Sequence, residues 1–258
     1  MSDHFCDAAL LSYAALDESV AYSLQVLREH AGDLPYWGAF SGGKDSVCIK
    51  QLCIEAGVAV DWHYGVTSID PPELVRFIHE VHPDVRFLRS KTYNNFGDGI
   101  ARAGLPGRIR RWCCAEFKER PAPNGRTTVV GIRAEESPRR RKSWNVWNLK
   151  RKKGAYLCPI LHWTEADVWE YIESRNLPYC SLYDEGYARL GCVGCPMQPV
   201  AQRRRDLERW PQVKRMLLGG TKRLMERMMP KWKANNQPFA KFSTPEELFD
   251  WWLTGKHV

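Results

Sequence analysis

No stretch of the 258-residue sequence approaches the roughly eighteen continuous apolar residues of a membrane-spanning helix; the longest apolar runs are cut by Asp, Lys or Arg. Internal repeats and low-complexity tracts are also missing. With 44% hydrophobic and 26% charged residues, the composition excludes a fibrous repeat and a disordered chain. A basic n-region is missing too: Met1 to Leu11 carries Asp3 and Asp7 ahead of its short apolar run, the wrong order for a secretory signal. The expectation is a cytoplasmic protein that does not engage a membrane. There, thiols stay reduced, and nine cysteines, an odd number, read as metal ligands or reactive groups before disulfides.

The net charge of +8 is unevenly spread. Met1 to Ala101 holds 7 basic and 14 acidic residues, Arg102 to Lys153 holds 16 and 4, Gly154 to Val200 holds 2 and 6, and Ala201 to Val258 holds 13 and 6. The densest runs are Arg139 to Lys142 and Lys150 to Lys153. An excess this local suits a phosphate, on a nucleotide or on a nucleic-acid backbone; a solvated loop is the competing reading.

Hydrophobic periodicity predicts a helix over Asp17 to His30, then a strand from Tyr36 to Phe40 that runs into a glycine-rich turn and a second helix ending near Ala56. Val58 to Val66, Val85 to Leu88 and Thr127 to Ile132 read as further strands, with Pro72 to His82 as a helix between the first two. Trp163 to Arg175 reads as a helix capped by Thr164. Alternating strands and helices imply an α/β, doubly wound, mostly parallel Rossmann-like sheet, with ligands at the carboxyl ends of the strands. Three segments follow: residues 1–34 as an N-terminal helical segment, 35–198 as the nucleotide-binding domain, and 199–258 as a basic helical C-terminal appendage.

The turn after the first strand meets Walker A spacing from Gly38 to Lys44, but Asp45 stands where that loop needs Ser or Thr for magnesium. What remains is a different phosphate loop. Ser41, Gly42, Gly43 and the start of the next helix turn backbone N–H groups and a hydroxyl toward an anion; Lys44 adds charge, and Asp45 can orient it or reach a metal. Downstream, Gly131 ends a strand, Arg133 can fork onto a phosphate, and Glu135 or Glu136 can hold Mg²⁺ or orient Arg133.

The string Ser41-Gly42-Gly43-Lys44-Asp45-Ser46 resembles the PP-loop of the N-type ATP pyrophosphatases, which share the adenine nucleotide alpha-hydrolase-like fold. Similarity to the PAPS reductase family within that group continues through Ser68-Ile69-Asp70-Pro71-Pro72-Glu73, Arg111-Trp112-Cys113-Cys114 with Lys118, Gly131 to Ser137, and Trp163 to Tyr171 leading into Gly191 to Pro196. It covers roughly Tyr36 to Met197. The resemblance implies a nucleotide ligand, ATP or PAPS, held with Mg²⁺ by Ser41 to Ser46, Asp70, Gly131, Arg133, Glu135, Glu136 and Arg140, with Lys44, Asp45 and Arg133 as catalytic groups. It also implies attack on ATP at the α-phosphate, giving an adenylylated substrate and pyrophosphate.

Cys113-Cys114 and Cys192-x-x-Cys195 are two tight thiol groups. Thiolates select zinc or iron–sulfur clusters; adjacent cysteines make a strained bite on one tetrahedral ion and sit more easily on a cluster whose irons lie apart. The pattern resembles the [4Fe–4S] ligands of assimilatory APS/PAPS reductases, with Zn²⁺ as the alternative. Cys6, Cys48, Cys53, Cys158 and Cys180 read as small buried residues.

Two departures separate the readings. Thiol-dependent sulfonucleotide reductases carry a nucleophilic cysteine near the C-terminus, and cluster-bearing ones usually lose the SGGKDS string; here no cysteine follows Cys195 and the string is intact. The combination is similar to ATP-dependent sulfur-insertion enzymes of DNA phosphorothioation and tRNA thiolation. This implies a sulfurtransferase with a nucleic-acid or small-molecule acceptor and a sulfur-donor protein such as a cysteine desulfurase. The alternatives are a PAPS/APS reductase drawing on a partner's thiol, and a non-catalytic nucleotide- or nucleic-acid-binding module with a structural metal. Trp112, Trp144, Trp147, Trp210 and Trp232 lie among basic residues and can stack bases, against the reading that they are core. His63 and His162 read as core or surface residues, and His257 as a disordered tail residue.

Overall fold

A computed structural model describes residues 4–150 and 154–254; the side chain of Cys6, the run Arg151 to Lys153 and His257 lie outside the described residues. Helix α1 (His4–Glu29) extends well before the segment that periodicity marks. Strand β1 (Tyr36–Ala39) follows, then α2 (Lys44–Ala56), which stops where Gly57 takes a left-handed φ of 70° and its N–H meets the carbonyls of Cys53 and Ile54. Strand β2 (Val60–Gly65), α3 (Pro72–Val81) and β3 (Arg86–Leu88) come next. Helices α4 (Phe96–Ala103) and α5 (Trp112–Phe117) lead to β4, which covers only Thr128–Val129. Beyond Val129 the chain leaves the sheet, and Val130 keeps one bond, donating its N–H to Leu157 O at 3.0 Å.

Helix α6 (Pro138–Ser143) is followed by a hairpin that the sequence reading passed over, β5 (Trp147–Lys150) and β6 (Gly154–Leu157). Each strand is only four residues long, too short a run for its pattern to announce a strand. The sheet order is β3-β2-β1-β4-β6-β5. Pairs β1–β2, β1–β4 and β4–β6 are parallel, with Gly38 opposite both Trp62 and Val129; β5 runs antiparallel to β6 at the edge. The mostly parallel sheet with flanking helices is the α/β architecture that the alternation implies. Helix α7 (Glu165–Ser174) starts on a reciprocal cap: the Thr164 side chain accepts from Asp167 N, and the Asp167 side chain accepts from Thr164 N.

The C-terminal region is helical: α8 (Val200–Arg209), α9 (Pro211–Ala234) and α10 (Pro245–Leu253). The chain forms two compact units. The first comprises Met1–Tyr64, Glu73–Phe87 and Pro121–Leu190; the second comprises Gly65–Pro72, Leu88–Arg120 and Gly191–Val258. The basic stretch Arg102 to Lys153 is therefore divided, since Arg102 to Arg120 belong to the second unit and Arg126 to Lys153 to the first.

In the first unit, Leu27, Leu52, Val129 and Leu157 are fully enclosed, and Ser23 Oγ ties α1 to the carbonyl of Pro159 at 2.9 Å. In the second, α4 lies close on α9, because a Cβ at Gly220 would come within 2.6 Å of Gly97 O. Trp210 and Trp232 are core residues, 4% and 9% exposed, which removes them as base-stacking platforms. Cys48, Cys53, Cys158 and Cys180 are buried, and His63 is a core residue stacked on Trp37 at 3.4 Å between ring centroids.

Candidate nucleotide site and thiol site

Strand order reverses around β1, with β2 on one side and β4 on the other, and the loops leaving the carboxyl ends of β1 and β4 meet there. Gly42 takes φ +74°, and a Cβ on it would lie 2.6 Å from Leu74 and 2.8 Å from Ile78. Only glycine makes this turn without strain. Ser41 Oγ accepts from Gly43 N at 3.3 Å and donates to Ser46 Oγ at 3.2 Å, while Ser46 Oγ donates to Gly43 O at 2.8 Å. These bonds shape the loop at the start of α2, whose helix dipole presents its positive end to an anion.

Lys44 is 4% exposed. Its Nζ donates to Ala188 O at 3.2 Å, lies 3.5 Å from Glu165 Oε1, and stands 5.4 Å from the Tyr183 ring centroid. Its backbone N–H donates to the Tyr183 hydroxyl at 3.0 Å. Asp45 does not orient Lys44. Its Oδ1 accepts from Arg133 Nε at 2.6 Å, and Arg133 Nη1 donates to Glu135 Oε2 at 2.7 Å. That same Glu135 oxygen accepts from Glu165 N at 2.6 Å. Desolvation works against the Arg133 guanidinium, 3% exposed, but Asp45 and Glu135 outweigh it and raise its pKa.

Gly131 permits this approach, since a Cβ there would stand 3.0 Å from the carbonyl carbon of Asp45. Glu136 pairs with Arg140, whose pKa is lowered by burial and then by Arg189. The structure thus gathers Ser41 to Ser46, Gly131, Arg133 and Glu135 around the end of β1, with Glu136 and Arg140 paired on the same loop. It adds Glu165, Tyr183 and Ala188, which sequence reasoning missed. Glu165 carries the ordinary signature of a helix first turn, and nothing in the sequence marks Tyr183. Chemically, a buried lysine, a buried arginine and the N-terminal end of α2 can neutralise phosphate charge, and Asp45, Glu135 and Glu165 pair those cations.

Asp70 belongs to the second unit. Its Oδ2 accepts from Thr67 N at 3.1 Å and Thr67 Oγ1 at 2.6 Å, and its Oδ1 lies 3.7 Å from Lys118 Nζ. The same unit carries the four cysteines, and Cys113, Cys114, Cys192 and Cys195 line one pocket with Lys118, Pro196 and Trp252. Cys113 and Cys114 sit on α5. The other two sit on a turn held by Val193 N donating to Ile69 O at 2.8 Å and by Gly194 at φ +72°.

Cations surround the thiols. Arg111 Nη2 donates to Cys114 Sγ at 3.2 Å. Cys114 is lowered to about 6, first by its hydrogen bond with Cys113 and then by Arg111. Burial pushes Cys192 up to about 11, with Lys118 pulling the other way. Arg203, 1% exposed, donates to Gly194 O at 3.3 Å and to Leu253 O at 3.0 Å.

The donor set suits a thiolate-bound group of net negative charge. Cys114, Cys192 and Cys195 lie close enough to raise the pKa of Cys113, and the four thiols share one pocket with Arg111 and Lys118 as counter-ions. Among the described residues, no three His, Cys, Asp or Glu side chains converge closely enough to hold a single metal ion as they stand.

Fold and site together define a PP-loop protein of the adenine nucleotide alpha-hydrolase type. Residues 35–198 match the phosphoadenosine phosphosulfate reductase domain, and the chain belongs to that family, which is enzymatic. An adenosine 5'-phosphosulfate reductase of Lysinibacillus sphaericus is 30% identical over 198 residues, covering 70% of this chain and 82% of the relative. A protein of Methanocaldococcus jannaschii is 29% identical over 191 residues, 69% of this chain; the chain spans 40% of that longer relative. Among solved structures, phosphoadenylyl-sulfate reductase from Candida auris in a phosphate complex aligns with a TM-score of 0.50 at 18% identity, covering 69% of this chain and 93% of that one. FMN adenylyltransferase of Candida glabrata with FAD and pyrophosphate aligns with a TM-score of 0.51 at 18% identity, covering 70% and 64%. At such identities these two speak for the fold alone.

Proposed function

We propose that the chain binds ATP at Ser41 to Ser46 and cleaves it to AMP and pyrophosphate, activating an acceptor for sulfur transfer. The observation that carries the reading is the intact loop, with Lys44 and Arg133 buried side by side with Asp45, Glu135 and Glu165. In this reading an acceptor oxygen attacks the α-phosphorus, the bond to the β-phosphate oxygen breaks, and pyrophosphate leaves. A sulfur nucleophile then displaces AMP. The protein's part is positioning and charge neutralisation: Lys44 and Arg133 stabilise charge developing on the phosphates, and Glu135 and Glu165 would hold Mg²⁺, which would add further charge neutralisation.

Cys113, Cys114, Cys192 and Cys195 are assigned to a [4Fe–4S] cluster, with Zn²⁺ as the alternative. When bound, the cluster would supply redox chemistry or a site for sulfide. The acceptor is a nucleic acid or a small molecule, and a sulfur-donor protein such as a cysteine desulfurase supplies the sulfur. A second reading, reduction of APS or PAPS with a partner's thiol, is favoured by the relatives named adenosine 5'-phosphosulfate reductase.

The test is anaerobic purification followed by iron and sulfide counts and two assays: pyrophosphate release from ATP with candidate acceptors, and sulfite release from APS or PAPS with thioredoxin. Iron near four per chain with pyrophosphate release supports the first reading. Sulfite without pyrophosphate supports the second.

A further inference from the structure

Tyr183 has no part in the scheme above, yet its hydroxyl lies against the phosphate loop. It accepts the Lys44 N–H at 3.0 Å, and a Cβ built on Gly43 would stand 3.3 Å from the same oxygen. Its ring faces Lys44 Nζ at 5.4 Å from the centroid. The side chain cannot swing freely. Tyr183 closes a 3₁₀ turn, Ser181–Tyr183, and its ring meets that of Trp169 edge-on at 5.1 Å and 87°. Tyr183 N donates to Cys180 O at 3.1 Å, Gly186 N donates to Tyr183 O at 3.0 Å, and Gly186 reverses the chain at φ +85°. Ala188, just beyond, accepts from Lys44 Nζ at 3.2 Å. The segment from Ser181 to Ala188 is therefore built onto both the main chain and the side chain of Lys44.

A phenol is one donor and two acceptors. Here one acceptor position is filled by Lys44 N–H, and among the described residues no protein group accepts the Tyr183 O–H proton. Burial raises the pKa of the phenol, so the proton stays in place at neutral pH. The result is a fixed O–H donor beside the loop, oriented by the amide that it caps.

We propose that Tyr183 is a nucleotide-positioning residue whose O–H donates to a phosphate oxygen of the ligand held by Ser41 to Ser46. Lys44 supplies a cation to the same phosphate, and its backbone N–H fixes the direction in which the phenol donates. The inference rests on the nucleotide reading above. A competing geometry is that the phenol fills the place of a phosphate oxygen and must withdraw before the ligand enters. The two make opposite predictions for Tyr183→Phe, which deletes the hydroxyl and keeps the ring over Lys44.

The test compares binding of ATP, pyrophosphate and adenosine by calorimetry in the full-length wild type, Tyr183→Phe, and the control Tyr179→Phe, which removes an exposed hydroxyl bonded to Asp184 in the same turn. A lost hydrogen bond to a charged oxygen weakens ATP and pyrophosphate binding by about tenfold to a hundredfold in Tyr183→Phe. Adenosine binding, the melting temperature and the Tyr179→Phe variant stay at wild-type values. Unchanged or tighter ATP binding by Tyr183→Phe overturns the positioning role while leaving the nucleotide site standing. An equal loss for adenosine and ATP, or a large fall in melting temperature, marks the residue as structural only. A wild type that binds none of the three overturns both this inference and the nucleotide reading.

Discussion

His82 sits between the rings of Phe40 and Phe77, at 4.7 and 5.1 Å between centroids, with 7% of its surface exposed. Its Nδ1 faces Lys50 Nζ at 3.2 Å, and Asp84 draws the same ammonium at 2.5 Å. Desolvation, then the Lys50 charge, lower its pKa to about 4, with Asp84 opposing. The neutral ring is thus favoured in the fold, whereas the unfolded chain takes up a proton near pH 6.5. The stabilisation is complete above that value and is lost as pH falls from about 6.5 toward 4. Urea unfolding should show up to about 2 kcal/mol less stability at pH 5 than at pH 7 from this group, and His82→Gln should flatten that part of the profile. An unchanged slope in the variant would place the pH dependence elsewhere.

Gly42 carries the second residue-level prediction. Gly42→Ala must hold a Cβ at positive φ against Leu74 and Ile78. It should cost about 2 kcal/mol or more in chemical denaturation and weaken nucleotide binding with it. Single residues also show where reading the chain was sufficient. Ser41 to Ser46 are contiguous, so their chemistry is visible in the string itself. Tyr183 meets Lys44 across 139 positions, and no local pattern foretells that contact.

Among the elements, β1, α2, β2 and α3 follow from periodicity because each buries one face under ordinary helix or strand chemistry. Strand β4 is shorter than its apolar run, because the chain must turn at Gly131 to bring Arg133 onto Asp45. The β5–β6 hairpin escaped notice for the opposite reason. It is a four-residue edge pair whose burial runs against its pattern, with Leu149 76% exposed and Asn148 buried. Helix α7 was legible down to its cap, but its first residue, Glu165, had a second use. Its side chain reaches Lys44 and its N–H reaches Glu135, so the helix start is also one wall of the site.

Across the whole chain, folding re-sorts the charge. The first unit contains 17 basic and 20 acidic residues, and the second, which bears the four cysteines, contains 21 and 10. The excess of +8 thus comes from −3 and +11. If the acceptor is a nucleic acid, the second unit is where counterions are released. Binding of a tRNA or a DNA duplex, followed by fluorescence anisotropy, should weaken about 100-fold between 50 and 200 mM salt if four phosphates are neutralised. Salt-insensitive binding, or none, removes nucleic acid as the acceptor.

The central claim concerns what the loop does with ATP. Pyrophosphate release by anaerobically prepared full-length protein, assayed beside Lys44→Ala with equal iron content, tests it most directly. The account predicts acceptor-dependent release by the wild type and a fall of about 100-fold or more in the variant. Iron-loaded wild type that yields sulfite from APS or PAPS and no pyrophosphate from ATP would contradict it.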